Sequence, residues 1–495
     1  MICVSVGRTQ HSSMRAQHEE LAKKQAELVE FRLDWMRTRP DVGKLLRNRP
    51  TPVVITCRRR DDRGQWSGTE EQRLAILREA IVGGADYVDL EIDIAESIPR
   101  YGTTKRIVSF HNFEETPLDL QQIYHRMTNY DPDVIKIVTM ANSQEDNVRI
   151  LDLVKSADIP TVGFCMGEFG ITSRLLCGRF GSPFTFAGFS RDRQMAPGQL
   201  TFVEVRNLYR FNSITDRTKI FAVVGDPIAH SMSPLLHNAA FRKIGFDAVY
   251  LPIRIPAGTL ETTLQQLEPL KISGFSVTIP HKQEVIQTAD VVDEEAEEIG
   301  AANTLFQDNG QLHATNTDCD AIEQTVLKGL KQLPQATAAL GDKRVLVLGA
   351  GGAARAAIQA MLRHGARVTV TNRTWKRGQQ LAAEMECGFL QWENRSTEIH
   401  DILINCTSVG MHPNVDETPF PEHWLRETTL VFDTVYNPEN TLLLKQARGR
   451  GCATATGVEM FVRQAARQFE IFTGHDAPRE YMEETMRRGM TIGRE

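Results

Sequence analysis

Eight short apolar runs punctuate the chain from its start to about residue 205: ICVSVG (2–7), LVEFRLDW (28–35), PVVITCR (52–58), YVDLEI (87–92), RIVSFHNF (106–113), VIKIVTM (134–140), PTVGFCMG (160–167) and FTFAGFS (184–190). Each has the length of a strand. Most are separated by amphipathic segments such as EEQRLAILREAIVGGA (70–85), whose apolar residues recur at i, i+3, i+4 and i+7, the spacing of a helix with one buried face. Eight strand-helix repeats predict a small (β/α)8 barrel; a doubly wound open sheet shares the same periodicity. One strand holds an anomaly, Lys136 between Ile135 and Ile137. Alternation puts Val134, Lys136 and Val138 on one face, which in a barrel points inward, near the end of the strand where such barrels keep their active sites. An amine buried there is either paired or neutral, and a neutral amine is a nucleophile for a carbonyl.

The rhythm changes at RNLYRFNSITDRTK (206–219), which reads as a helix end and a connector. IFAVVG (220–225), AVYLPI (248–253) and ISGFSVTI (272–279) then form a second α/β unit. A polar, helix-prone stretch, including LKQLPQATAALGD (330–342), leads to KRVLVLGAGGAARAAIQAMLRHGARVTVTNR (343–373), which reads as strand, glycine turn, helix and strand.

With 495 residues, the chain is too long for one hydrophobic core and implies two to four domains. A net charge of −6 and a pI near 6.2 give no basic bias toward nucleic acid or an anionic membrane surface, so small-molecule chemistry is the expectation. Cys3, Cys57, Cys165, Cys177, Cys319, Cys387, Cys406 and Cys452 are scattered without a CxxC pair; they read as reduced core residues rather than disulfides or metal ligands, and no metal site is expected. MICVSVG has no signal-peptide pattern, and no apolar run approaches the ~20 residues that span a bilayer. A cytoplasmic enzyme is expected.

Gly349, Gly351 and Ala354 fit G-x-G-x-x-A directly after a strand and at a helix start, so the backbone of Gly349, Ala350, Gly351, Gly352 and Ala353 is the candidate cradle for a dinucleotide pyrophosphate. The following strand ends Asn372-Arg373-Thr374 with Arg377 beyond, where an NAD site usually has a carboxylate for the ribose. Guanidiniums there favour a 2′-phosphate, hence NADP.

GDPIAHSMSPLLHN (225–238), ISGFSVTIPHK (272–282), GAANT (300–304), NTD (316–318), NCTSVGM (405–411), DTVYNPENT (433–441) and GVEMFVRQA (458–466) closely resemble the shikimate dehydrogenase family over nearly all of 219–495. The resemblance implies that Ser231 and Ser233 bind the substrate carboxylate, that Thr278, Asn303 and Gln464 hold other polar groups, and that Tyr436 lines the pocket. It makes Lys282 and Asp318 the catalytic pair and adds Thr407 and Gly457 to the cofactor contacts. Reducing a ketone by hydride develops an alkoxide, which needs a cation or proton donor beside it. Cys319, where the family commonly has glycine, and Val458-Glu459-Met460 depart from the pattern.

The first half resembles type I 3-dehydroquinate dehydratases through VEFRLD (29–34), YVDLEI, SFHNFEETP (109–117), VIKIV (134–138), GITSRL (170–175) and MAPGQ (195–199). The resemblance implies an imine between Lys136 and the substrate ketone, His111 as general acid/base, substrate contacts from Glu30, Arg32, Arg58, Arg174 and Gln199, and less firmly Ser5 and Glu91. Arg174 is expected at the carboxylate. Asn112 stands where many members have aspartate, and Met195 replaces a serine.

The expected architecture is α/β: a TIM barrel (1–212), then a shikimate-dehydrogenase-like two-lobed unit with a substrate-binding domain (219–325, completed by 458–495) and a Rossmann NADP-binding domain (326–457). The expected function is dehydration of 3-dehydroquinate and NADPH-dependent reduction of the resulting 3-dehydroshikimate to shikimate, on small molecules, with no nucleic acid or membrane partner. Rival readings are a non-catalytic quinate sensor, a catabolic quinate/shikimate dehydrogenase using NAD, and, for the first half, an imine-forming aldolase.

Overall fold

Every apolar run of the first half becomes a strand: β1 Ile2–Gly7, β2 Leu28–Arg32, β3 Val53–Thr56, β4 Tyr87–Glu91, β5 Lys105–His111, β6 Val134–Met140, β7 Thr161–Met166 and β8 Thr185–Gly188. These are features of a computed structural model, which describes residues 1–229, 231–333 and 339–492. His230 of the GDPIAHSMSP motif and residues 334–338 of the polar connection lie outside the described residues.

The eight strands run parallel in the order β7-β6-β5-β4-β3-β2-β1-β8. Because β1 pairs with both β2 and β8, the sheet curls into a nearly closed barrel, as the eight-fold beat predicts; the open-sheet alternative falls. The helix Glu70–Val82 starts at a capping box in which Thr69 accepts from the N–H of Gln72 and Gln72 returns a bond to the N–H of Thr69. Such a cap contributes about 1 kcal/mol.

The barrel interior is layered by strand alternation. In five consecutive strands an inward apolar residue is followed two positions later by a polar one: Leu28 then Glu30, Val54 then Thr56, Tyr87 then Asp89, Ile107 then Ser109, Val134 then Lys136. The first members join Cys3, Val162 and Phe184 in an apolar plug. The second members stand on that plug, toward the C-terminal ends of the strands.

The chain divides into two units, Met1–Lys219 with Leu251–Arg254 and Thr263–Lys271, and the remainder. The second unit holds two sheets. One comprises β9 Lys219–Gly225, β10 Ala248–Arg254, β11 Ile272–Val277, β12 Val291–Val292, β13 Thr304–Asp308 and β14 Gln311–Thr315, in the order β10-β9-β11-β13-β14-β12. The stretch that reads as helix-prone in sequence therefore supplies three of these strands. β13 and β14 form an antiparallel hairpin over Asn309 and Gly310, both at positive φ, which is the chemistry of a two-residue turn. The other sheet comprises β15 Arg344–Leu348, β16 Arg367–Asn372, β17 Gly388–Gln391, β18 Ile402–Asn405, β19 Leu430–Asp433 and β20 Ala453–Thr456. Its parallel order, β17-β16-β15-β18-β19-β20, is that of a doubly wound dinucleotide-binding fold.

All eight cysteines are free, and Cys319, which departs from the family pattern, packs in the core of the nucleotide-binding fold with Met460. Among the described residues no helix is long and apolar enough to cross a membrane.

Candidate functional site

Two sites emerge, one in each unit. In the barrel, Lys136 lies third on β6, below the expected C-terminal end, and its Nζ reaches the level of Asp89 on β4, 2.9 Å from Oδ2, and of Glu30 on β2, 4.0 Å from Oε1. It also stands 4.0 Å from the centre of the Phe186 ring. The ammonium is buried but not unpaired, and its neighbours are acidic as well as apolar.

The carboxylates around it are shared in a web. Ser5 Oγ (2.6 Å) and Thr56 Oγ1 (2.7 Å) donate to Glu30. Arg58 donates to Asp89, Glu91 and Ser109, and Ser109 donates to Asp89. Burial alone would raise the pKa of Asp89, but Arg58, Lys136 and the Ser109 hydroxyl hold it far below the usual carboxylate range. Each buried charge has a partner, which is the condition for tolerating it.

One cavity is lined by Ser5, Glu30, Arg32, Arg58, His111, Lys136, Arg174 and Gln199, all expected from sequence. Glu91 does not line it. That expectation is corrected: the carboxylate is taken by Arg58 on one oxygen and by the fully buried Arg73 on the other, each at 2.9 Å, so it supports the cavity from behind. His111 is two register positions above Lys136, since His111 pairs with Val138 and Ser109 with Lys136, so both face inward. Burial, then the charges of Arg58 and Lys136, push the imidazole pKa well below its ordinary value, leaving His111 neutral and able to accept a proton.

Arg174 is the other outstanding group. Its guanidinium is buried over the Phe164 ring at 4.3 Å, Nη1 donates to the carbonyl of Phe186 at 3.2 Å, and Nε and Nη2 have no partner. Burial lowers its pKa to about 10. A guanidinium held in the cavity wall with donors unmet is a ready site for a carboxylate.

The two departures have structural explanations. Asn112 Oδ1 accepts the N–H groups of Glu114 and Glu115, both at 2.9 Å, so it closes a turn instead of facing the histidine. The tip of Met195 lies over Gly7 beside the Trp35 ring, where a Cβ would meet it at 2.6 Å, and its N–H donates to Gln199 Oε1 at 2.8 Å. Sequence reading missed Asp89, Asp62, Arg63 and Phe113. Asp89 was legible, because it shares the inward phase of β4 with Glu91.

In the second unit, Lys282 Nζ lies 2.5 Å from Asp318 Oδ2, the lysine partly exposed and the carboxylate buried. Asp318 opens the helix Asp318–Leu330, its N–H held by the Asn316 side chain. Asn303 sits between Thr317 and Gln464, with Nδ2 3.0 Å from Thr317 Oγ1 and 3.4 Å from Gln464 Oε1. Ser233 begins the helix Ser233–Ile244, and its N–H donates to Ser231 Oγ at 3.3 Å. The Tyr436 ring packs on Phe461 with centroids 4.5 Å apart, and burial pushes its hydroxyl pKa up to about 12. Thr278 is half-buried just past β11, its N–H donating to Val224.

The turn expected to cradle a dinucleotide is bare backbone at a helix start. Gly349 has φ 114°, where a side chain would be strained and a Cβ would stand 3.0 Å from the carbonyl oxygen of Cys406. A Cβ on Gly352, the first residue of the helix Gly352–Leu362, would meet the Lys282 side chain at 2.8 Å, so the bare backbone comes to the edge of the lysine site. Asn372 ends β16 and donates to the carbonyl of Thr374, with Arg373, Thr374 and Arg377 exposed beyond it. Thr407 is held by Asn405, and Gly457 begins the helix Gly457–Thr473 so close to Thr434 that no Cβ fits. These residues fit a pyrophosphate and a 2′-phosphate.

Family models match along the length of the chain. Type I 3-dehydroquinase matches residues 2–216, the shikimate dehydrogenase substrate binding domain 223–305, shikimate/quinate 5-dehydrogenase 332–433, and the shikimate 5′-dehydrogenase C-terminal domain 457–487. The chain is 37% identical, over 97% of its own length and 83% of the relative's, to a chloroplastic bifunctional 3-dehydroquinate dehydratase/shikimate dehydrogenase of Arabidopsis thaliana. Over 55% of its length, and 98% of the relative's, it is 39% identical to a shikimate dehydrogenase (NADP(+)) of Caldanaerobacter subterraneus subsp. tengcongensis. A shikimate dehydrogenase solved in complex with NADP+ superposes with a TM-score of 0.52 at 33% identity, covering 56% of this chain and 97% of that one.

Proposed function

The chain belongs to the family of bifunctional 3-dehydroquinate dehydratase/shikimate dehydrogenases, and from that premise we propose that its barrel dehydrates 3-dehydroquinate through an imine on Lys136 and that its second unit reduces the product, 3-dehydroshikimate, to shikimate with NADPH. The observation that carries the reading is a cavity lined by a buried lysine, a histidine and an arginine with unmet donors.

In the barrel, Arg174 takes the substrate carboxylate and sets the ketone against Lys136. Lys136 first gives one proton to His111, and the freed amine adds to the carbonyl carbon. The carbonyl oxygen, taking a second proton from the nitrogen and the first back from His111, leaves as water. The protonated imine restores a positive charge beside Asp89, which pairs with the ammonium at 2.9 Å in the resting site. That charge acidifies the neighbouring C–H. His111 accepts the proton and returns it to the departing hydroxyl, which leaves as water. Hydrolysis of the imine frees the product and Lys136. Glu30, Arg32, Arg58, Ser5 and Gln199 hold the remaining polar groups.

In the second unit, Ser231 and Ser233 bind the carboxylate, while Thr278, Asn303, Gln464 and Tyr436 surround the ring. NADPH, when bound, supplies the hydride. Lys282 donates a proton to the alkoxide that develops, and Asp318 orients it. Gly349, Ala350, Gly351, Gly352, Ala353, Thr407 and Gly457 form the cofactor cradle. Arg373 and Arg377, with Asn372 and Thr374, hold the 2′-phosphate, which favours NADP over NAD. The reading places the enzyme in the cytoplasm; its free cysteines suit a reducing compartment.

Coupled turnover tests the proposal. The purified chain given 3-dehydroquinate and NADPH consumes NADPH and forms shikimate without another enzyme. Binding of 3-dehydroquinate with no dehydration would instead favour a sensor, and turnover with NAD but not NADP would overturn the cofactor assignment.

A further inference from the structure

A histidine that moves protons is usually oriented by a hydrogen bond from its second ring nitrogen. His111 has none: among the described residues its ring takes no hydrogen bond, although it lies in a web where other polar side chains are bonded. The side-chain oxygens nearby are otherwise engaged: Asp89 accepts from Arg58, Ser109 and Lys136. Asn112 caps the following turn, and Asp62 is bonded through Oδ2 to Arg59 Nε at 2.5 Å.

What His111 does have is a ring neighbour. The Phe113 ring lies nearly parallel to the imidazole, with centroids 5.9 Å apart and an interplanar angle of 12°. Phe113 in turn carries the guanidinium of Arg63, 4.8 Å from its ring centre. Phe113 packs against the barrel core, and both Phe113 and Arg63 line the cavity with His111.

Arg63 is put there by a built loop. It adopts the left-handed conformation at φ 55°, which costs a non-glycine residue about 1 kcal/mol. Next to it, a Cβ on Gly64 would stand 2.1 Å from the carbonyl oxygen of Arg58, so the chain folds back on itself. Both ends of the loop are fastened to one carboxylate: the Arg58 N–H donates to Asp34 Oδ1 at 3.2 Å and the Gln65 N–H to Asp34 Oδ2 at 2.9 Å. Asp34 is itself fixed by two bonds from Arg32.

We propose that Phe113 and Arg63 are positioning residues for His111, orienting the proton-transferring imidazole by a cation–ring–ring stack in place of a hydrogen-bonded carboxylate. The inference rests on the dehydratase reading above. The stack holds the imidazole plane while leaving both ring nitrogens available to substrate and water, which suits a group that must accept a proton at one step and return it at another.

The test uses the full chain. Phe113→Leu and Arg63→Ala each lower the dehydratase kcat about tenfold, as expected for a misplaced acid/base group, with KM within about twofold of wild type. Phe113→Tyr, which keeps the ring, restores kcat to near the wild-type value, and Arg63→Lys lies between. Borohydride trapping of substrate on Lys136 persists in each variant, showing that the cavity is folded and that imine formation is intact. If Phe113→Leu fails to trap, Arg63→Ala, altered at an exposed side chain, carries the test. Wild-type kcat in Arg63→Ala, or a loss in Phe113→Leu that Phe113→Tyr does not rescue, overturns the stack. Failure of the wild-type chain to trap substrate would strike the dehydratase reading instead.

Discussion

Both sites contain a lysine paired with an aspartate, and the two pairs are built for different work. Lys136 and Asp89 are almost sealed, at 6% and 0% side-chain exposure, inside a web that includes Glu30, Glu91, Arg58 and Arg73. Lys282 and Asp318 stand at 17% and 4% against the bare backbone of Gly352. The barrel pair stands at the wall of a cavity lined by fixed side chains, with little exposure to solvent. The other is partly open, with the Gly352 backbone close against the lysine stem, and in the proposed reading it is where cofactor and substrate meet. The same two residue types thus serve, in the proposed reading, as a nucleophile in one unit and as a proton donor in the other. What distinguishes them is the surroundings.

The largest expected effect separates the two directly. Lys136→Ala abolishes dehydration by about 10⁴-fold or more, as loss of a covalent nucleophile does, while reduction of 3-dehydroshikimate by the same protein is unchanged. Lys282→Met does the converse less severely, lowering the reductase kcat about 10²- to 10⁴-fold in steady-state assays with dehydration intact. Reduction surviving in that variant at the wild-type rate would erase the distinction.

A stability measurement sharpens the contrast. Asp89→Asn leaves Lys136 and Arg58 short of a counter-charge in a sealed site and costs about 3–5 kcal/mol in denaturant unfolding of the barrel. Asp318→Asn costs less, because its cationic partner is partly exposed. Arg373→Ala and Arg377→Ala each raise the KM for NADPH about tenfold, the scale of one charge-assisted hydrogen bond, while leaving the KM for NADH unchanged.

His237 gives the stability of the second unit a pH dependence of its own. His237 is buried with both ring nitrogens unpartnered, stacked on Tyr250 at 4.3 Å, and burial lowers its pKa to about 3. The unfolded chain takes up a proton at this residue near pH 6.5 and the folded one does not. Stability is therefore fully present above that pH and is lost as pH falls toward 3, at up to about 1.4 kcal/mol per unit. His237→Phe, which keeps a ring against Tyr250, flattens that part of the profile in thermal unfolding between pH 6.5 and 4.

The barrel was legible in the sequence because its strands are short, separated by amphipathic helices and alternate cleanly; Lys136, His111 and Glu30 stand out as polar residues in inward phase. Glu91 shares that phase, yet Arg58 and Arg73 claim both its oxygens, and no pattern along one strand reveals what a neighbouring strand will do with a charge. Arg63 and Phe113 were hidden for the same reason, lying on loops whose contacts are set by folding-back at Gly64. In the second unit the hairpin β13–β14 escaped notice because TLFQD and QLHAT are short and polar at their tips. The Asn309-Gly310 turn between them was the readable signal.

The most direct test of the central claim is borohydride reduction of the chain in the presence of 3-dehydroquinate, followed by peptide mass analysis. An imine on Lys136 leads to a stable adduct on the peptide containing that residue and loss of dehydratase activity, with reductase activity retained. Continued dehydration with no adduct on Lys136 would contradict it.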